Sequence, residues 1–137
     1  MSEDFRDLFN FQGINWWTLL GGLGLNFVIT AIASIFGAYL GSNEATAGFY
    51  QQYGAPLMVL VVFIACVGAG YITAKIADDV PTKHAFISSL GAVVPFIFVA
   101  VLSFNPLLFM MAAVAAAGNL NGGMLAAPRR RHSGPPR

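Results

Sequence analysis

The sequence has few charged residues, which make up only 9% of its 137 positions. In a typical soluble domain about 25% of the residues are charged, and they keep the surface hydrated. So few charges could not cover the surface of a water-soluble globule of this length, whereas a lipid environment tolerates their scarcity. Since 57% of the residues are hydrophobic, the composition excludes an ordinary soluble domain and predicts an integral membrane protein.

Cysteine and N-terminal positive charge are also scarce. Cys66 is the only cysteine and lies inside an apolar run, which excludes an intramolecular disulfide and a cysteine-based zinc cluster. We interpret it as a small buried apolar residue.

The first residues are acidic, with Glu3, Asp4 and Asp7, whereas a signal peptide begins with positive charge. The first apolar run is therefore expected to remain as a membrane span.

Four apolar windows are long enough to cross a membrane. A helix needs about 20 apolar residues to span a hydrocarbon core of about 30 Å. Trp16, Trp17 and Tyr39 flank the first window, as expected for rings that prefer the boundary between water and lipid. We expect Pro56 in the first turn of the second helix and a kink at Pro95 in the third. The predicted spans cover residues of about 14–40, 56–76, 85–104 and 106–126.

The basic residues gather on one side of the membrane if the chain crosses it four times. Arg6, Lys75, Lys83 and the C-terminal arginines fall in the N-terminal segment, the second connection and the tail. The other two connections, about 41–55 and 103–106, contain no lysine or arginine. Because basic residues collect on the cytoplasmic side, the sequence predicts an all-α integral membrane four-helix bundle. We expect it in the cell (inner) membrane, with N- and C-termini both cytoplasmic.

Three segments make up the predicted domain organisation: residues 1–12, 13–127 and 128–137. The first carries apolar residues at helical spacing and is expected to lie on the membrane surface, the alternative being a frayed tail. The middle segment contains the four spans. The last segment has nothing apolar to bury, so we expect disorder, and its arginine cluster would favour anionic lipid headgroups unless it only sets the topology. These arginines are Arg129, Arg130 and Arg131.

Small residues recur at helical spacing in three of the predicted spans. Such residues let helix backbones approach closely, and packing rather than the hydrophobic effect holds helices together in lipid. The simplest interpretation is packing within the bundle, and the alternative is that one stripe docks another subunit. The residues concerned are Ala33, Gly37 and Gly41 in the first span, Cys66, Gly70 and Ala74 in the second, and Gly118 and Gly122 in the fourth.

Asparagine side chains inside the spans are the polar groups most costly to leave unpaired. Hydrogen bonds between such groups join membrane helices, each contributing about 1 kcal/mol. We interpret Asn26, Asn119 and Asn121 as contacts of this kind. The alternative is that they line a polar path or hold a ligand.

Ionisable residues are missing from the cores of the predicted spans. Proton relays, ion-coupled carriers and voltage sensors depend on such residues, and general acid–base catalysis does too. Lys83 and His84 lie near Asp78 and Asp79 in the second connection, where we expect solvated side chains rather than a metal or catalytic site. The sequence therefore predicts a protein that is not an enzyme, and it indicates no particular cofactor.

Residues 68–91 resemble a pattern of small four-helix bacterial integral membrane proteins of unknown function. In that family a helix end of the Gly-Gly-Tyr type is followed by a short basic loop and a helix that starts with His-Ala or His-Gly. The matching residues here are Gly68, Gly70 and Tyr71 at the helix end, His84 and Ala85 at the next helix start, and Gly91. The loop departs from the pattern, because it carries Asp78 and Asp79. The resemblance implies a four-span topology and no activity.

The sequence favours an accessory or scaffold subunit of a larger membrane protein complex. The reasons are its small size, the lack of ionisable residues in the spans and the helix faces rich in small residues. An energy-transducing complex is one candidate. The alternative is a small homo-oligomeric channel or transporter. The expected partners are the lipid bilayer and other integral membrane subunits, and no nucleic-acid partner is expected.

Overall fold

The structure is a computed structural model that describes residue 6, residues 9–77 and residues 79–127. Over this part of the chain it contains five α-helices and no strand. The helices are α1 (Trp16–Ser42), α2 (Ala47–Ile76), α3 (Pro81–Ser88), α4 (Leu90–Ser103) and α5 (Pro106–Ala126). Because α3 and α4 together form one segment, the described residues include four helical segments long and apolar enough to cross a membrane. The predicted all-α fold with four membrane-spanning helices is confirmed.

Asparagine caps the first residues of two helices. The side-chain oxygen of Asn15 accepts hydrogen bonds from the backbone N–H groups of Trp17, at 3.1 Å, and Thr18, at 3.3 Å. Asn105 does the same for the N–H of Leu107 at 3.0 Å, and a proline opens α5 directly after this cap. These bonds satisfy N–H groups that have no partner within their own helix. Both helix starts are therefore fixed by local sequence.

The second helix begins at Ala47 and not at residue 56, so Pro56 lies inside α2 rather than in its first turn. The ring of Tyr50 explains the longer helix, because it packs where two glycines leave space. A Cβ atom on Gly37 would lie 2.8 Å from the Tyr50 hydroxyl oxygen, and one on Gly54 would lie 2.8 Å from Tyr50 Cδ2. This contact with α1 stabilises additional turns of α2. The residues of these turns are too polar for the sequence to predict them as part of a membrane span.

The third span begins at Pro81 rather than at residue 85, and it is interrupted at Ser89 between α3 and α4. The hydroxyls of Ser88 and Ser89 donate to carbonyls three residues earlier, at 2.8 and 2.6 Å. Such bonds compete with the regular hydrogen bonds of a helix. Pro95 lies within α4, and the kink expected there stays a prediction. The interruption at Ser89 lies where serine hydroxyls offer the backbone other partners.

Helices α2 and α5 approach so closely that glycines replace side chains where they cross. A Cβ atom on Gly70 would overlap the backbone of Asn119. One on Gly122 would overlap the carbonyl of Val67, and Gly118 also faces the α2 backbone. Apart from one phenylalanine, small or flexible side chains fill the rest of the core, which fits helices held together by close packing in lipid. The core residues are Ala33, Met58, Val62, Cys66, Ala92, Phe96, Met111, Ala112 and Ala115.

Contacts between helix ends establish how the segments are arranged. The backbone N–H of Asn15 bonds to His84 at 2.8 Å, and a Cβ atom on Gly123 would lie 2.7 Å from that of Ala85. The starts of α1 and α3 and the end of α5 therefore share one end of the bundle, which we call the His84 end. Large apolar side chains cover the outer surface between the two ends, as expected for helices surrounded by lipid.

The predicted terminal segments are only partly described. Of segment 1–12 the structure describes residue 6 and residues 9–12. The ring of Phe9 packs edge-on against Phe86 with centroids 5.9 Å apart. Segment 128–137, with its three predicted lipid-binding arginines, lies outside the described residues.

Candidate functional site

A pair of asparagine side chains lies at the centre of the bundle. Asn26 of α1 and Asn119 of α5 are both 0% exposed. The amide nitrogen of Asn26 donates to the Asn119 side-chain oxygen at 3.1 Å, and the amide nitrogen of Asn119 donates to the Asn26 oxygen at 2.7 Å. The two amides therefore bond to each other in both directions and connect the first span to the last.

The remaining donors of this amide pair bond within the bundle. The nitrogen of Asn26 also donates to the carbonyl of Gly22 at 2.9 Å, and that of Asn119 to the carbonyl of Ala115 at 3.0 Å. The hydroxyl of Ser88 lies 3.4 Å from the Asn26 nitrogen. A primary amide has two N–H donors, so each asparagine is fully used as a donor. Chemically, the arrangement joins helices and presents no free donor to a solute.

The third predicted intramembrane asparagine lies apart from the other two. Asn121 is exposed on the outer face of α5 and donates to the carbonyl of Ala117 at 2.7 Å. It follows Asn119 by two residues, and residues two apart on a helix do not share a face. The structure thus brings together Asn26 and Asn119 and leaves Asn121 outside.

Most of the small residues singled out in the sequence lie inside the bundle. Seven of them are buried: Ala33, Gly37, Cys66, Gly70, Ala74, Gly118 and Gly122. Gly41 is exposed, and a Cβ atom on it would lie 3.3 Å from Cδ1 of the Tyr50 ring. Within this chain, these residues serve contacts between its own helices.

Three further glycines have the same role and were missed by the sequence reasoning. A Cβ atom on Gly22 would lie 2.7 Å from that of Ser88, and one on Gly91 would overlap the carbonyl of Leu23. Gly123 faces Ala85 in a similar way. Gly22 precedes Asn26 by one helical turn, so its position beside a buried polar residue could have indicated it. No comparable feature of the sequence indicated Gly91 or Gly123.

Lys83 and His84 are buried, contrary to the expectation that they are solvated. His84 is 0% exposed and Lys83 is 5% exposed. The ammonium of Lys83 donates to the carbonyl of Gln12 at 3.0 Å. The segment that precedes α1 covers both side chains, because the chain before the first span folds back onto the start of α3. That coverage depends on residues distant in sequence, so composition could not reveal it.

The hydrogen bonds of His84 fix the position of its ring proton. The backbone N–H of Asn15 can only donate, so Nε2 of His84 is the acceptor at 2.8 Å. Nδ1 lies 3.2 Å from the carbonyl of Val80 and therefore carries the proton. Val80 has a left-handed backbone with φ of 43°, which is strained for a β-branched residue. The tertiary contacts of the His84 end hold this conformation in place.

The described residues contain no group of three His, Cys, Asp or Glu side chains that could hold a metal ion. Comparison with known proteins adds no assignment, since no family model, curated protein or solved structure matches this chain. The resemblance of residues 68–91 to small bacterial membrane proteins therefore stays a prediction.

Proposed function

We propose that this multi-pass membrane protein is a non-catalytic accessory or scaffold subunit of a larger complex, held in the cell membrane with both termini cytoplasmic. The observation that supports this most is the closed hydrogen bonding between Asn26 and Asn119. A pore or carrier needs polar groups that face its solute, and these buried amides bond to each other instead. The distribution of basic residues supports the orientation.

The outer surface offers small residues to a partner helix. A Cβ atom on Gly24 of α1 or on Gly68 of α2 would meet no described atom within 4 Å. Small residues on an outer face let a second helix approach closely. Helix α1 is also the least enclosed span, because 28% of its most apolar stretch is buried, against 39% in each other span. We therefore place the partner contact on the faces that carry Gly24 and Gly68.

Purification of the tagged chain from its own cells in a mild detergent, followed by native mass measurement, tests the proposal. We expect co-migration with larger membrane subunits at a fixed ratio. Gly24→Leu and Gly68→Leu should each lower the recovery of those subunits at least fivefold, because a bulky side chain prevents close approach. Gly48→Leu is the matched control, since Gly48 is also open in the described structure but lies in the polar first turn of α2. A chain recovered alone, or equal recovery with all three variants, would contradict the proposal.

A homo-oligomeric channel or transporter is the second candidate, and the position of Asn121 favours it. This side chain is exposed on the outer face of α5, and Met124 and Leu125 beside it are exposed too. In a ring of identical chains, Asn121 from each copy would line a polar path. Liposomes that contain the purified chain would then pass a small solute, and Asn121→Leu would abolish the flux. A monomeric chain that conducts nothing would exclude this candidate.

A further inference from the structure

Residues 9–15, which precede α1, lie across the start of α3, and we call them the N-terminal strap. Two hydrogen bonds with side chains of α3 hold the strap in place. The carbonyl of Gln12 accepts from the Lys83 ammonium at 3.0 Å, and the N–H of Asn15 donates to Nε2 of His84 at 2.8 Å. The docked strap therefore depends on two ionisable side chains that it also buries.

Apolar packing contributes little to this docking. The ring of Phe9 packs edge-on against Phe86, yet Phe9 remains 73% exposed and Phe11 61% exposed. Side chains that stay this exposed bury little apolar surface against the bundle, and the buried apolar area sets the size of the hydrophobic contribution. The loss of one polar contact is thus enough to shift the strap from its docked position.

The bond between Asn15 and His84 exists only while Nε2 carries no proton. Nδ1 lies 3.2 Å from the carbonyl of Val80 and holds the ring proton of the neutral imidazole. A second proton must bind to Nε2, where it would face the N–H of Asn15, and two donors cannot bond to each other. In water an imidazole side chain gains this second proton between about pH 5 and 8. Acidification therefore acts directly on a bond that holds the strap.

The charged groups around His84 do not favour a proton on its ring in the docked state. Both ring nitrogens bond to backbone groups and not to a carboxylate. Lys83, the neighbour in α3, is itself a cation and is 5% exposed. Lys75 at the end of α2 and Asp79 before α3 are exposed to solvent, and Asp78 lies outside the described residues. The strap, the first turns of α1 and the last turns of α5 contain no ionisable side chain.

We infer that the N-terminal strap is a pH-sensitive switch, docked while His84 is neutral and released when Nε2 takes up a proton. The docked state holds a neutral ring, whereas release hydrates the ring and lets it carry a charge. Because release takes up a proton, docking is stable at high pH and weakens as the pH falls. Lys83 loses the Gln12 carbonyl in the same step, and repulsion between the two adjacent cations favours release. This inference is independent of the proposed function.

Hydrogen exchange of the full chain in detergent micelles, followed by mass spectrometry between about pH 8 and pH 5, tests the switch. The protection of the Asn15 amide is its intrinsic exchange rate at each pH divided by the measured rate. We expect this protection to fall about fivefold on acidification, as the loss of one neutral hydrogen bond allows. In His84→Gln the protection should not depend on pH, because the glutamine oxygen accepts the same bond and does not titrate. His132→Gln, at the other histidine of the chain, is the matched control and should keep the fall.

Nuclear magnetic resonance of the imidazole nitrogens provides a second measurement that does not depend on replacing His84. In the His132→Gln chain His84 is the one remaining histidine, so the ring signals report its protonation directly. Protonation of His84 and loss of Asn15 protection should share one midpoint. Protection that stays constant down to about pH 5 would overturn the inference. So would an equal fall in His84→Gln, or a loss of protection while the His84 ring stays neutral.

Discussion

The inner and outer faces of α2 carry glycines two residues apart, Gly70 and Gly68, with opposite surroundings. A Cβ atom on Gly70 would overlap the backbone of Asn119, whereas one on Gly68 would meet no atom within 4 Å in the described part of the chain. Both residues have the same chemistry and lie on the same helix. The inner glycine sets the distance between α2 and α5, and the outer glycine is available to lipid or to a partner.

The asparagines of α5 show the same contrast. Asn119 is enclosed and bonds to Asn26 on another helix, while Asn121 is exposed and bonds only to the carbonyl of Ala117 in its own helix. Whether an asparagine joins two helices therefore depends on the helix face that carries it, and not on its residue type. The comparison of inner and outer faces leads to three predictions.

The largest expected effect is that of Gly70→Val. A valine there collides with the α5 backbone, which cannot move aside without separating the helices. We expect the free energy of unfolding to fall by about 3 kcal/mol, measured by reversible unfolding in mixed micelles with an anionic detergent.

The matched control is Gly68→Val, on the same helix and two residues away. Its side chain would point into open space of the described structure, so the free energy of unfolding should change by less than about 0.5 kcal/mol. A similar fall in the free energy of unfolding in both variants would contradict the difference between the two faces of α2.

An intermediate effect is expected at the amide pair. Asn26→Leu or Asn119→Leu leaves the other amide buried without its partner, which should cost about 1–2 kcal/mol of stability. In a double-mutant cycle we expect a coupling energy of about 1 kcal/mol between the two positions. The measurement is again unfolding in mixed micelles.

Asn121→Leu serves as the control for the amide pair, since it removes an outer asparagine of the same helix. Its effect should stay within about 0.5 kcal/mol and should add to that of Asn26→Leu without coupling. A coupling energy of zero between Asn26 and Asn119 would mean that their mutual hydrogen bonds contribute nothing to stability.

The smallest effect is expected at the His84 end. His84→Leu removes the acceptor of the Asn15 N–H, a bond of 2.8 Å, and should cost about 1 kcal/mol. Because the bond fixes the segment before α1, the amide hydrogen of Asn15 should exchange at least fivefold faster than in the wild type. Hydrogen exchange followed by mass spectrometry measures this, and unchanged exchange at Asn15 would contradict the assignment. Lys75→Leu is the control, since Lys75 is exposed and should leave that exchange unchanged.

Part of this structure could be predicted from the sequence because lipid imposes a local requirement. A segment that crosses the bilayer must be apolar along its length, so hydropathy indicated four spans, and α5 begins and ends where the pattern suggested. The start of α2 could not be predicted in this way, because Tyr50 packs into space that Gly37 provides on another helix. The burial of Lys83 and His84 likewise depends on a segment about seventy residues earlier in the chain.

The sequence indicated which residues form the candidate site, but not which of them bond to each other. Asn26 and Asn119 stood out as amides inside apolar spans, and so did Asn121. Their partners could not be known, since Asn26 and Asn119 are separated by 93 residues.

The sequence by itself determined the medium and the number of crossings, because the scarcity of charge and the length of each apolar run are properties of local composition. Only the tertiary structure decided which glycines and asparagines face inward, because the rotation of each helix about its axis is set by packing against its neighbours. That rotation encloses Gly70 and Asn119 and leaves Gly68 and Asn121 on the surface.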